Sequence, residues 1–444
     1  MRERHGKLPV VVGTAILALT LAYMSAFGGQ FPQVDAKGVP APIAGQVDYT
    51  PEVSIEEVTN APDDPEFSNQ QYLFNLAGGT QEQYVQAVDF YTQMWALAHP
   101  TSTPPTPGVS DPNNRVAILG SGLGAPDGAT PSDFTLDTAI DHNAPLARDY
   151  TNFAGPNTFD YAQSSGTSQL MSPFAIANNG TAFTGISPYT IGVIPMVTRH
   201  GADTVIAQTG ALERALAQFA KHSESGASVV VVDGSFTTNL ASIRDSVDAL
   251  AARGVYVVLN SANRDNPLNP NPVATDAAIH GNVFVVGGDT TPQPTGAQTD
   301  TLASDFNVRT FSNGSGEIST VSGNEMAVSQ IAVILNMAQQ LRPEGAAVIP
   351  VARMKELIAQ YGNSDSGVFT NLEGLMYMVA IEYGLIDPPP TPTPSSTPSP
   401  SPSPSSTPSP SPSPTATPIP EFKVYMPFIQ RLQDIAHAVI GVGR

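Results

Sequence analysis

Four apolar runs punctuate the middle of the chain: "RVAILG" from Arg115, "ASVVVV" from Ala227, "GVYVVLN" from Gly254 and "NVFVVGG" from Asn282. None alternates between apolar and polar residues, so each reads as a strand covered on both faces, the condition of a parallel sheet. Between and around them lie stretches with helical period, notably "GALERALAQFAKH" from Gly210 and "LASIRDSVDALAARG" from Leu240. In the second, Leu240, Ile243, Val247 and Leu250 share one face. Strand and helix in alternation predict an α/β domain: a three-layer arrangement with a mostly parallel sheet and helices on both of its faces.

The pattern changes towards both ends. Residues 1–29 begin with the basic "MRERHGK" and continue through an uncharged apolar stretch, which reads as a signal peptide or a membrane anchor. Small residues at Ala26, Gly28 and Gly29 offer a cleavage site. Residues 30–61 are polar with scattered prolines and read as a spacer, and 62–387 have globular composition. Residues 388–420 are a Pro/Ser/Thr tract that cannot build a core and predicts a disordered, extended linker. In the tail, 421–444, Phe428, Ile429, Leu432, Ile435, Ala436, Val439 and Ile440 trace one helical stripe. Residues 1–29 or 424–442 are candidates for contact with a membrane or another envelope component, and the alternative for the tail is a remnant without a role. An exported, extracellular or envelope-associated protein is the expectation.

Composition narrows the chemistry. A formal charge of −20 argues against nucleic acid, whose phosphates require a basic face. The chain has no cysteine, which removes disulfides, thiolate metal sites and a thiol nucleophile. No spacing of His, Asp and Glu supplies a metal site, and no cofactor is expected.

Several segments, in order, resemble the subtilisin-like serine peptidases, the S8 family. "DDPEFSNQQYLFNL" from Asp63 resembles the family's entry segment, and Trp95 follows where many members carry tryptophan. "VAILGSGLG" from Val116 is similar to the strand that ends in the catalytic aspartate, but Gly120 stands at that position. "SSGTSQLMSPFAIANNGTAFTGISP" from Ser164 resembles the family's H-G-T helix and its downstream turn, with Ser165 in place of histidine. Reading its "SGTS" as the nucleophile motif instead conflicts with the order of the segments. In "GASVVVVDGSF" the residues matching the substrate-pairing strand end are Asp233, Gly234 and Ser235. "GVYVVLNSANRDN" resembles the strand bearing the oxyanion asparagine, here Asn263. The "HG" at His280 precedes a different strand and is not a displaced catalytic histidine. Finally "VSGNEMAVSQIAVIL" matches the S-G-T-S-M-A helix, with Asn324 for threonine and Glu325 for the nucleophilic serine. Order and spacing carry the resemblance, because each segment has lost its signature residue.

The resemblance implies a degenerate triad at Gly120, Ser165 and Glu325. Gly120 cannot orient a base, Ser165 cannot act as one near neutral pH, and a carboxylate at 325 would repel a forming oxyanion. Loss of all three removes about 10⁶-fold in rate. The plain alternative for Glu325 is a solvated carboxylate favoured by a helix N-terminus, and for Asn263 an amide capping a tight turn. His142, His200, His222 and Asp127 lie outside the matching positions. The reading is a non-catalytic pseudopeptidase, whose former cleft is idle or holds an extended peptide or protein segment. One alternative is an active serine endopeptidase with a relocated site, using Ser168 or Ser329. Another is a hydrolase that pairs Glu325 with Asp233 across the cleft.

Overall fold

The computed structural model describes residues 62–103, 114–120, 139–140, 144, 146–150, 170–177, 179–198, 205–221, 226–233, 240–263, 266–311 and 318–388. The chain divides into two units at Ile386/Asp387, and the account below concerns the first. Residues 1–61 and 389–444, which contain the signal, spacer, linker and tail expectations, lie outside the described residues. Among the described residues no helix is long and apolar enough to cross a membrane.

The four apolar runs are strands at the centre of an eight-stranded sheet: β1 (Arg115–Gly120), β5 (Ala227–Val232), β6 (Tyr256–Asn260) and β9 (Phe284–Gly288). Four further strands complete it: β2 (Ala139–Ile140), β3 (Arg148–Asp149), β4 (Gly192–Val197) and β10 (Thr301–Ala303). The order is β10-β9-β6-β5-β1-β4-β2, β3 also pairs with β4, and all of these pairings are parallel. Two small antiparallel ribbons stand apart, β7 (Ala262–Asn263) with β8 (Asn266–Pro270), and β11 (Val308–Phe311) with β12 (Ile318–Val321).

Each central strand feeds both faces in alternation, as pleating requires. Val116, Ile118, Val229, Val231, Tyr256, Val258, Phe284 and Val286 point into one core. Ala117, Leu119, Val230, Val232, Val257, Leu259 and Val285 point into the other. The first core is built with α1 (Gln71–Asn75), α2 (Gln81–Ala98), α7 (Asn324–Gln340), α8 (Val351–Leu357) and α9 (Leu372–Glu382). The second is covered by α3 (Val205–Lys221), α4 (Leu240–Ala252) and the short α5 (Pro272–Thr275) and α6 (Ala277–His280). The three layers expected from sequence are therefore present.

Strand order reverses around β1: β4 lies on one side of it and β5 on the other. In a parallel sheet such a switch point leaves a crevice at the carboxyl ends of the flanking strands, where loops diverge. Gly120, Asp233 and Asn260 stand at or just beyond the carboxyl ends of β1, β5 and β6.

Candidate active site: a carboxylate pocket at the strand ends

Helix α7 defines the site because it begins at the crevice and runs through the core. All its residues except Glu325 and Gln340 are buried, so it is enclosed on every side. Its buried polar residues each find a partner. The Asn324 Oδ1 accepts the Gly288 N–H at 3.1 Å, clamping the helix start to the end of β9. Deeper in the helix, Gln330 Nε2 donates to Ser304 O at 2.7 Å, and Gln339 Nε2 to Gly254 O at 2.7 Å. Ser329 is fully buried and its hydroxyl donates to Met326 O at 2.9 Å, inside its own helix. The serine proposed at sequence level as a relocated nucleophile is thus a core residue.

Glu325 lies in the first turn of α7, where the helix dipole favours a carboxylate. Its side chain folds back over Gly323, at which an added Cβ would fall 2.5 Å from Oε1. With Asp233, Asn260, Leu170, Val231, Val232 and Val328 it lines a cavity of about 10 Å³. Two carboxylates and one amide therefore open into one small space with apolar walls. Asp233 is only 5% exposed, and its N–H donates to Leu119 O at 2.8 Å, fixing it beside the end of β1. Asn260 is 7% exposed and its Oδ1 accepts the Ala262 N–H at 3.4 Å. Sequence reading passed over Asn260. The available signal was an amide ending an otherwise apolar strand.

Gly120 ends β1, and its carbonyl accepts the Thr198 N–H at 2.8 Å. It offers no side chain to the site. Asn263 lies on β7. Ser165, Ser168, Gly234, Ser235, Asp127, His142, His200 and His222 lie outside the described residues. The helix that the resemblance implies at Ser165 falls on residues outside the described ones. Ser172–Phe174 is a single 3₁₀ turn, with Pro173, which lacks an N–H, at its start.

That turn is braced by the "NNGTAFTGISP" loop. Asp64 accepts the Asn179 and Gly180 N–H groups and the Thr184 hydroxyl. Tyr84 donates to Gly185 O at 2.8 Å. Gly185 passes so close to the Ala175 carbonyl that no Cβ would fit. Trp95 packs on Tyr189, ring centroids 5.0 Å apart, and supports the same loop from α2.

A second carboxylate pair, missed at the sequence level, supports the pocket from beneath. Asp305 takes hydrogen bonds from the N–H and hydroxyl groups of both Thr290 and Thr291. Burial pushes its carboxyl up, but these bonds outweigh it and hold the pKa below the usual value. Its neighbour Asp289 is pushed up, chiefly by burial and then by Asp305. Gly323 N–H donates to Asp305 O at 2.8 Å, so this cluster fixes the loop from which Glu325 projects.

Neither described histidine, His99 or His280, lines the pocket. His99 Nε2 lies 2.7 Å from Gln340 O at the far end of α7. His280 lies 3.3 Å from Asp300, whose other oxygen is 3.0 Å from Lys355, near the amino end of β9. Among the described residues no group of three or more His, Asp or Glu could hold a metal ion.

No protein-family profile matches the chain, and no curated protein sequence does. Solved structures do. A protease from Pseudoalteromonas arctica superposes with a TM-score of 0.52 at 16% identity, over 72% of this chain and 100% of its own. The two share a fold with a mostly parallel central sheet and helices around it. The serine protease MycP1 of a type VII secretion system matches at a TM-score of 0.46 and 14% identity, over 72% of this chain and 96% of its own. The subtilase cytotoxin SubAB matches at 0.45 and 13%, over 67% and 96%.

Proposed function

We propose that this subtilisin-like chain is an exported pseudopeptidase, and that its cleft holds an extended peptide or protein segment without serine-type cleavage. The observation that carries the reading is the chemistry of the pocket. Among its described lining residues there is no hydroxyl, imidazole or amine, and Glu325 occupies the turn where the resemblance places the nucleophile. A carboxylate there cannot form a productive acyl-enzyme with an amide, and its charge opposes an oxyanion developing beside it. The N-terminal pattern, the proline-rich tract and the amphipathic tail support display at the cell envelope. A fluorophosphonate probe, which labels activated serines, tests the reading on the full chain. No labelling is expected between pH 6 and 9, and stoichiometric labelling of any serine would overturn it.

A second reading has one observation in its favour: Asp233 and Glu325 open into the same cavity. Two carboxylates about one water form a general acid–base pair when one of them carries a proton. This reading requires peptide turnover that rises at acid pH and disappears in Asp233→Asn. Turnover unchanged by that substitution would eliminate it.

A further inference from the structure

We propose that the outer face of α9, with the adjoining side of α2, docks a basic amphipathic helix of another protein. The inference stands apart from the cleft and does not rest on the reading of it.

The composition of α9 does not suit a helix that faces water. In "LEGLMYMVAIE" only Glu373 and Glu382 carry charge, and Glu382 is taken by Arg353 at 2.9 Å. Leu372, Leu375, Met376, Val379 and Ala380 are buried against the core. The other side, with Gly374, Tyr377, Met378 and Ile381, is half-buried among the described residues. A surface helix ordinarily turns polar residues outward, and one that is apolar all round is a covered helix. Tyr377 packs on Phe90 of α2, ring centroids 6.0 Å apart. Two turns beyond Phe90, on the same side of α2, Leu97 is 53% exposed. The two helices thus present a joint apolar strip.

Charge identifies what covers it. Glu373 stands one turn before Tyr377 on α9, and Asp89 is the neighbour of Phe90 on α2, so both carboxylates flank the same aromatic contact. Neither has a hydrogen bond or an ion pair among the described residues. Burial alone acts on them, and it raises both carboxyl pKa values. A partly buried carboxylate without a cation is unfavourable, and a lysine or arginine from outside relieves it.

Other occupants fail on charge. A second copy across a twofold axis would bring like carboxylates together. An anionic lipid surface is repelled by them, and by a chain whose formal charge is −20. A basic helix meets both requirements. Its apolar stripe covers Tyr377, Met378 and Ile381, and its flanking cations reach Asp89 and Glu373.

The test is fluorescence anisotropy of the full chain with two fluorescein-labelled helical peptides. One is built of leucine and lysine in amphipathic period, the other has glutamate in place of every lysine. The lysine peptide is expected to bind and the glutamate peptide not. Asp89→Asn with Glu373→Gln removes both charges and keeps both shapes, and is expected to weaken binding about tenfold, the worth of two partly buried charge pairs. Asp245→Asn with Asp365→Asn, which removes two exposed charges elsewhere, is expected to leave binding unchanged. Amide hydrogen exchange should slow over residues 372–386 when the lysine peptide binds. Equal weakening by the two double variants would mean attraction by net charge alone and would overturn the proposal. Binding of the glutamate peptide, or no binding of either at millimolar concentration, would do the same. Without peptide, Asp89→Asn with Glu373→Gln should raise the thermal midpoint slightly. A fall would mean that the two carboxylates already have partners, and would count against the proposal.

Discussion

At the residue scale, the strongest constraint near the pocket is Gly288. A Cβ there would collide with the carboxylate of Asp305 and the amide of Asn324, both locked in hydrogen bonds. Gly288→Ala is expected to cost about 3 kcal/mol in a denaturant titration, because neither neighbour can move without losing a buried bond. Asp305 should show the opposite pH behaviour to its neighbour. Its folded pKa lies below the usual carboxylate value. Its stabilising contribution is therefore complete above the unfolded pKa and is lost as pH falls through the depressed folded value. Asp289, with a raised pKa, contributes with the opposite sign as it ionises. Asp305→Asn should therefore lower the thermal midpoint at pH 7, and its gap to wild type should narrow in scans taken progressively below pH 4. A gap independent of pH would mean that the ionised form is not what the threonines hold.

At the element scale, the four central strands were legible because burial on both faces leaves an unbroken apolar run of the right length, and α7 was legible through the motif that its first turn resembles. The helical face of Ile243 and Val247 was legible for the matching reason, a period of about 3.6 residues. The short edge strands and the β11–β12 ribbon were not, since two to four residues carry too little pattern. Nor was the 3₁₀ turn at Ser172–Phe174, which is only three residues long. The site was legible where it depended on position in a motif, as with Glu325 and Asp233. It was not where it depended on tertiary convergence, as with Asn260 and the Asp289–Asp305 pair. Within α7 two substitutions should separate sharply. Gln330→Ala leaves Ser304 O without its partner and opens a cavity, and should cost about 2–4 kcal/mol by chemical denaturation. Ser329→Ala removes one intrahelical bond and should cost less than about 1 kcal/mol.

At the scale of the whole molecule, a parallel sheet with a switch point presents its strand ends as a ready crevice, whatever side chains line it. On the proposed reading, such a crevice holds an extended segment without the groups for acyl transfer. The described lining of that crevice carries two carboxylates and an amide, in a chain whose formal charge is −20. The measurement that bears most directly on this account is turnover of a broad fluorogenic protein substrate by the purified full chain. An active-site-blocked subtilisin sets the background, and Glu325→Ala runs alongside. The account predicts no turnover above that background for either protein from pH 4 to pH 9. Turnover by the wild type that Glu325→Ala abolishes would contradict it, and would mean that the carboxylate performs chemistry where the serine is missing.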